Sequence, residues 1–166
     1  MTTSQMTTSQ TTTSEHTTSE HATDDYVEHM HVHVTTDQVL AALTDPDQIL
    51  AWWTSFTSAE RAGDEIRLFM NRSTAPLVLQ VRRPSAHEVA WAVTSCDFLA
   101  DWVGTTPTFT VSAAADGSSD VTFHHVGLGP ALECFEQCRA GWDHFLPSLR
   151  RYLDTGVGLA DHPRSA

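Results

Sequence analysis

The sequence predicts an α+β domain: a curved antiparallel sheet of about seven strands wrapped on one long C-terminal helix, with two short helices after the first strand. Three observations predict it. Residues 131–154 carry apolar side chains at helical spacing. Seven segments between residues 26 and 126 read as strands, joined by connections too short for the crossovers that parallel pairing needs. Two helix-start signals follow the first strand directly.

At 166 residues the chain fits one domain with a core of its own. Its nine basic residues, all arginine, face 21 acidic ones, and the net charge of −12 argues against DNA, RNA or an anionic membrane as partner. The sequence has no apolar run long enough to span a bilayer and no signal-peptide core, so the cytoplasm is the expected location. Three cysteines, two of them one helical turn apart, suit a reducing compartment better than a disulfide framework.

Residues 1–25 divide into the units MTTSQ, MTTSQ, TTTSE, HTTSE and HATDD, which lack the apolar area needed to offset ordering, so a disordered tail is expected there. The domain proper is expected over 26–158, with a flexible end over 159–166. Strand one begins at Tyr26 in YVEHMHVHV, with Met30, Val32 and Val34 on one face and His29, His31 and His33 on the other. Imidazoles at i and i+2 can share a metal such as zinc if a third ligand joins them, but this face points away from the core and reads as solvent-exposed.

Thr35-Thr36-Asp37-Gln38 is a capping box, and Asp45-Pro46 pairs an N-cap with a first-turn proline, so two short helices follow. The later strands are expected at about 54–58, 64–70, 76–82, 87–94, 102–112 and 120–126. Pro107 cannot donate to a ladder, which calls for a bulge or a locally open edge.

The last helix places Ala131, Cys134, Phe135, Cys138, Trp142, Phe145, Leu149, Tyr152 and Leu153 on one face. Pro130 suits its first turn and Gly156 its end. Pro147 falls about 160° from the apolar centre, where it would bend the helix around what it covers. Gly141 lies at the edge of the apolar face and permits a close approach by a strand, a loop or a ligand.

A long helix facing the concave side of a curved sheet leaves room for a cavity. Trp53, Trp91, Trp102 and Trp142 are directed toward it, with Phe109, Phe123, His125, Cys138, Gly141 and Phe145 completing the expected lining. The alternative is a full core. His125 alternates with Val121 and Phe123 and so faces inward, where it could serve as acid or base, or rest as a buried, hydrogen-bonded histidine. Cys134 and Cys138 could join it as metal ligands or as a nucleophile, or pack as small apolar groups. Glu133 near the helix start suits a cap as well as a catalytic role.

Trp52-Trp53, Val89-Ala90-Trp91, DWVGTTPTF at 101–109, VTFHHVGL at 121–128 and ECFEQCRAGWDHFLPSLRRYLDTGVG at 133–158 together resemble the SRPBCC superfamily. This is the helix-grip group of START-like, pollen-allergen-like and polyketide-cyclase-like proteins, and the closest likeness is to the branch similar to activators of the heat-shock chaperone ATPase. The resemblance covers about residues 26–158. It implies a deep hydrophobic cavity used for lipids, hormones or polyketides, with catalysis in some members only. The Gly-Gly that often opens the third strand in this branch is Gly63-Asp64 here.

The reading reached from the sequence is non-catalytic binding of a hydrophobic or aromatic small molecule, with no cofactor. A cyclase, dehydratase or hydrolase using His125 is the first alternative and a chaperone-interacting module the second. A homodimer is left open. No Ser-His-Asp order, phosphate loop or CxxC pair supports the enzyme reading.

Overall fold

A computed structural model describes residues 25–71 and 74–160. The repeat tail, apart from Asp25, and residues 161–166 lie outside the described residues. Seven strands form one antiparallel sheet in the order β1-β7-β6-β5-β4-β3-β2. They are β1 (Tyr26–Val32), β2 (Phe56–Ala62), β3 (Glu65–Met70), β4 (Leu77–Arg82), β5 (Glu88–Cys96), β6 (Thr106–Ala113) and β7 (Ser119–Val126). Helices α1 (Thr36–Thr44) and α2 (Pro46–Trp52) follow β1, and α3 (Phe135–Thr155) closes the chain.

The helix starts follow their caps. The Thr35 hydroxyl accepts from Gln38 N and the Gln38 side chain accepts from Thr35 N, while the Asp45 carboxylate accepts from Asp47 N beside Pro46. These bonds satisfy backbone donors that the first helical turn leaves open.

Three elements differ from expectation. β2 runs to Ala62, because this edge strand buries only Phe56 and its remaining residues alternate too weakly to show its length. Trp102 lies in a 3₁₀ turn (Ala100–Trp102), not in β6; its amide bonds Leu99 O, and Gly104 reverses the chain at φ 92°. Helix α3 begins at Phe135, since residues 129–134 are spent on turns closed by Leu132 N to Gly129 O and Phe135 N to Leu132 O. Pro130 and Ala131 therefore precede the helix, and Ala131 is exposed. Beyond the helix, Leu159 and Ala160 make backbone hydrogen bonds. Leu159 N donates to Ser148 Oγ at 2.8 Å and Leu159 O accepts from Thr54, while Ala160 O bonds His144 Nε2.

Pro107 interrupts pairing as its chemistry requires. The β5–β6 ladder stops at Ala90 and Thr108, then resumes between Val93 and Thr105 once the imide is passed. At the far end of α3, Gly156 at φ 89° provides the left-handed cap, and Pro147 is exposed on the outer side. The core lies between the concave sheet face and the inner sides of the three helices.

Candidate functional site: an aromatic core with one open end

All five tryptophans are buried and their rings form one continuous cluster. Trp52, Trp53 and Trp91 stack within 15° of parallel at centroid separations of 5.7–6.2 Å, and Trp53 meets Trp142 at 5.1 Å. Trp102 stacks on Trp142 at 5.8 Å and 9°. Phe109 and Phe123 fill the space behind. Trp52, which the sequence did not direct inward, is fully buried because its indole N–H donates to Ala42 O, and Trp91 bonds Leu43 O in the same way. The last carbonyls of α1, which have no partner within the helix, thus supply the polar contact each buried indole needs.

His125 lies at the sheet side of this cluster with no solvent exposure. Trp142 Nε1–H donates to its Nδ1 at 3.0 Å. Its Nε2 lies 2.8 Å from Thr105 Oγ1, whose own hydrogen is directed to Trp102 O. Nδ1 must therefore accept and Nε2 must donate, which is possible only for the neutral ring. Burial pushes its pKa down to about 3.

The ring cluster is closed at its inner end and open at its outer end. There α3, the start of β2, the end of β3 and the 3₁₀ turn surround an apolar cleft of about 160 Å³. Six of the ten expected lining residues reach it: Trp53, Trp102, Cys138, Gly141, Trp142 and Phe145. The other four, Trp91, Phe109, Phe123 and His125, belong to the packed interior. Phe56, Met70, Phe98 and Leu99 also line the cleft and were missed. Phe98 and Leu99 had a signal, being two large apolar residues in a polar turn between Asp97 and Asp101. Phe98 stays 40% exposed at the mouth.

Gly141 borders open space; a Cβ built on it would meet nothing within 4 Å. Neither strand nor loop comes close, so its missing side chain simply enlarges the cleft. No carboxylate or imidazole lines this space. Its one titratable group is Cys138, whose thiol is pushed up to about 12 by burial and by its hydrogen bond with Cys134, although Trp102 Nε1–H donates to its sulfur at 3.0 Å. Cys96 is pushed up to about 11, again by burial.

The remaining candidates lie elsewhere. His29, His31 and His33 are exposed and bonded to Thr122, Asp120 and Asp154 in turn. Among the described residues no three His, Cys, Asp or Glu side chains gather around one metal position. Glu133 is exposed, and Asp101 from the 3₁₀ turn is the carboxylate that reaches Cys134 N at the start of α3. No helix among the described residues is long and apolar enough to cross a membrane.

Solved structures share this fold at low sequence identity. The solution structure of the Aha1 dimer from Colwellia psychrerythraea matches with a TM-score of 0.66 at 21% identity, over 81% of this chain and 98% of that one. Protein SSP2350 from Staphylococcus saprophyticus matches at 0.61 and 22%, over 81% and 95%. DynU16, a protein in the dynemicin biosynthetic locus, matches at 0.57 and 22%, over 81% of this chain and 49% of that one. No curated protein sequence matches. Residues 33–154 match the family described as activator of Hsp90 ATPase homolog 1-like protein, and the chain therefore belongs to that family, within the SRPBCC superfamily of helix-grip folds.

Proposed function

We propose that the protein binds a small, uncharged aromatic or apolar group in the cleft between α3 and the 3₁₀ turn, without catalysis. The observation that carries this is a solvent-reaching apolar cleft walled by Trp53, Trp102, Trp142, Phe56 and Phe98 and free of carboxylates and imidazoles. Its volume is modest, since an apolar space of about 150 Å³ accommodates a benzene ring and drug-sized ligands need about 300 Å³ or more. One or two fused rings, or the end of an apolar chain, fit. The non-catalytic reading is supported by the neutral His125, both of whose ring nitrogens are occupied, and by a cleft thiol that stays protonated at neutral pH.

Calorimetric titration with indole tests this. Saturable binding is expected in the parent, with indole recovered unchanged. In Gly141→Leu the Cβ has open space around it and the rest of the side chain extends toward the cleft, so binding should vanish while stability holds or rises by about 0.5–1 kcal/mol from helix propensity. Equal indole binding by both proteins would refute the site.

A further inference from the structure

Three of the nine arginines, Arg61, Arg82 and Arg83, line one shallow depression of about 740 Å³ at the far rim of the sheet, with Thr44, Asp64, Gln80 and Thr94. In a chain of net charge −12 such a grouping stands out against the surrounding surface. What neutralises these arginines decides its meaning. Arg67 and Arg139 form ion pairs with nearby carboxylates, whereas none of the three does so among the described residues. Asp64 is the one carboxylate lining the depression, and it pairs with none of them.

Two of the guanidiniums are instead anchored by neutral carbonyls. Arg61 donates through Nε to Gly63 O at 2.9 Å and through Nη1 to Thr44 O at 2.7 Å. Arg83 donates through Nε to Glu88 O at 2.9 Å and through Nη2 to Ala86 O at 3.1 Å. A backbone carbonyl fixes the orientation of a guanidinium and leaves its full charge in place. Each of the two keeps several of its five N–H donors unused, and the Arg82 side chain makes no hydrogen bond or ion pair among the described residues. Holding a long side chain in place beforehand removes part of the entropy that binding would otherwise cost.

We infer that this depression is a second ligand site, separate from the aromatic cleft, and that it takes an anion presenting phosphate oxygens. Planar forks of N–H donors match two oxygens of a phosphate at once. The amide of Gln80 adds a neutral donor on the same lining, while the hydroxyls of Thr44 and Thr94 already donate to Leu40 O and Val78 O. Two anchored cations with a free one beside them favour a diphosphate over a single phosphate. Asp64 opposes binding, and that gives the test a second sign.

The experiment is calorimetric titration of the full chain with pyrophosphate, inorganic phosphate and citrate at low ionic strength. Expected are saturable 1:1 binding of pyrophosphate, at least tenfold weaker binding of phosphate and citrate, a fivefold or greater loss in Arg82→Gln and a gain in Asp64→Asn. Arg82 anchors nothing, so its replacement leaves the fold intact, and a thermal melt verifies this. Absence of saturable pyrophosphate binding, or equal affinity in Arg82→Gln, would overturn the site. Citrate as tight as pyrophosphate would overturn its assignment to phosphate.

Discussion

The indole N–H of Trp142 points at Nδ1 of His125 across 3.0 Å, a bond that only the neutral imidazole, favoured by its burial, can accept. A charged ring would set two N–H groups against each other in the centre of the core. The folded state keeps the pKa at about 3, against about 6.5 in an unfolded chain. Between those values the unfolded chain binds the extra proton. His125 therefore contributes its full stability above about pH 6.5 and loses it as pH falls toward 3, by at most about 1.4 kcal/mol per pH unit. Urea unfolding from pH 7 to 4 should show this loss, and His125→Gln, which can accept from Trp142 and donate to Thr105 without titrating, should show less of it. Identical pH profiles for the two proteins would refute the assignment.

Substitutions at Trp142 separate its ring from its proton. The residue packs against Trp53, Trp102, Phe123 and His125, so Trp142→Ala should cost roughly 3–5 kcal/mol, the value for an emptied core position. Trp142→Phe keeps much of the packing but leaves Nδ1 of His125 without a donor, at about 1–3 kcal/mol. Chemical denaturation measures both, and a loss below 1 kcal/mol in the alanine variant would mean that the inner cluster is loose.

Gly158 lies where the chain passes over the end of α2. A Cβ there would stand 2.6 Å from Ala51 O, 2.8 Å from Ser148 Oγ and 2.9 Å from Trp52 Cα. Two of those neighbours are backbone atoms, so the strain has little room to relax. Gly158→Ala should cost about 1–3 kcal/mol and weaken the Leu159 N to Ser148 bond, visible as faster hydrogen exchange at Leu159. Unchanged stability and exchange would show that this segment is not seated as described.

Thiol chemistry proceeds through the thiolate, and burial holds Cys96 and Cys138 near 11 and 12. At pH 8 an aromatic disulfide reagent should label neither in the folded protein and both after unfolding. Prompt labelling of Cys138 in the native state would restore it as a candidate nucleophile in the cleft.

How much of this was legible in the sequence depended on the range of the interaction involved. The caps at Thr35 and Asp45 are local, and they set α1 and α2 where expected. Helix α3 showed its buried stripe, but Pro130 misled, because a proline that suits a first helical turn suits other turns equally well. Trp102 was mistaken for a strand residue since one 3₁₀ turn leaves no periodicity. The cavity was the harder case. Alternation shows that Trp91, Phe109, Phe123 and His125 face inward, yet not that their rings meet and fill the space. Only the ring separations distinguish a wall from a core. The arginine depression could not be seen at all, because Arg61 and Arg82 lie on different strands and come together only when the sheet forms.

The tryptophan cluster also governs how the protein handles light. With each ring about 5–6 Å from the next, excitation absorbed by any of the five indoles passes to the others before it is emitted. Emission therefore comes from whichever ring holds the excitation last, and a molecule seated against Trp53, Trp102 or Trp142 acts on light first absorbed by Trp52 and Trp91, deep inside. The stacked pairs should also couple electronically and give an intense near-ultraviolet dichroism that disappears as the rings separate on unfolding. One optical signal then follows the whole core, and the cleft is its outermost point.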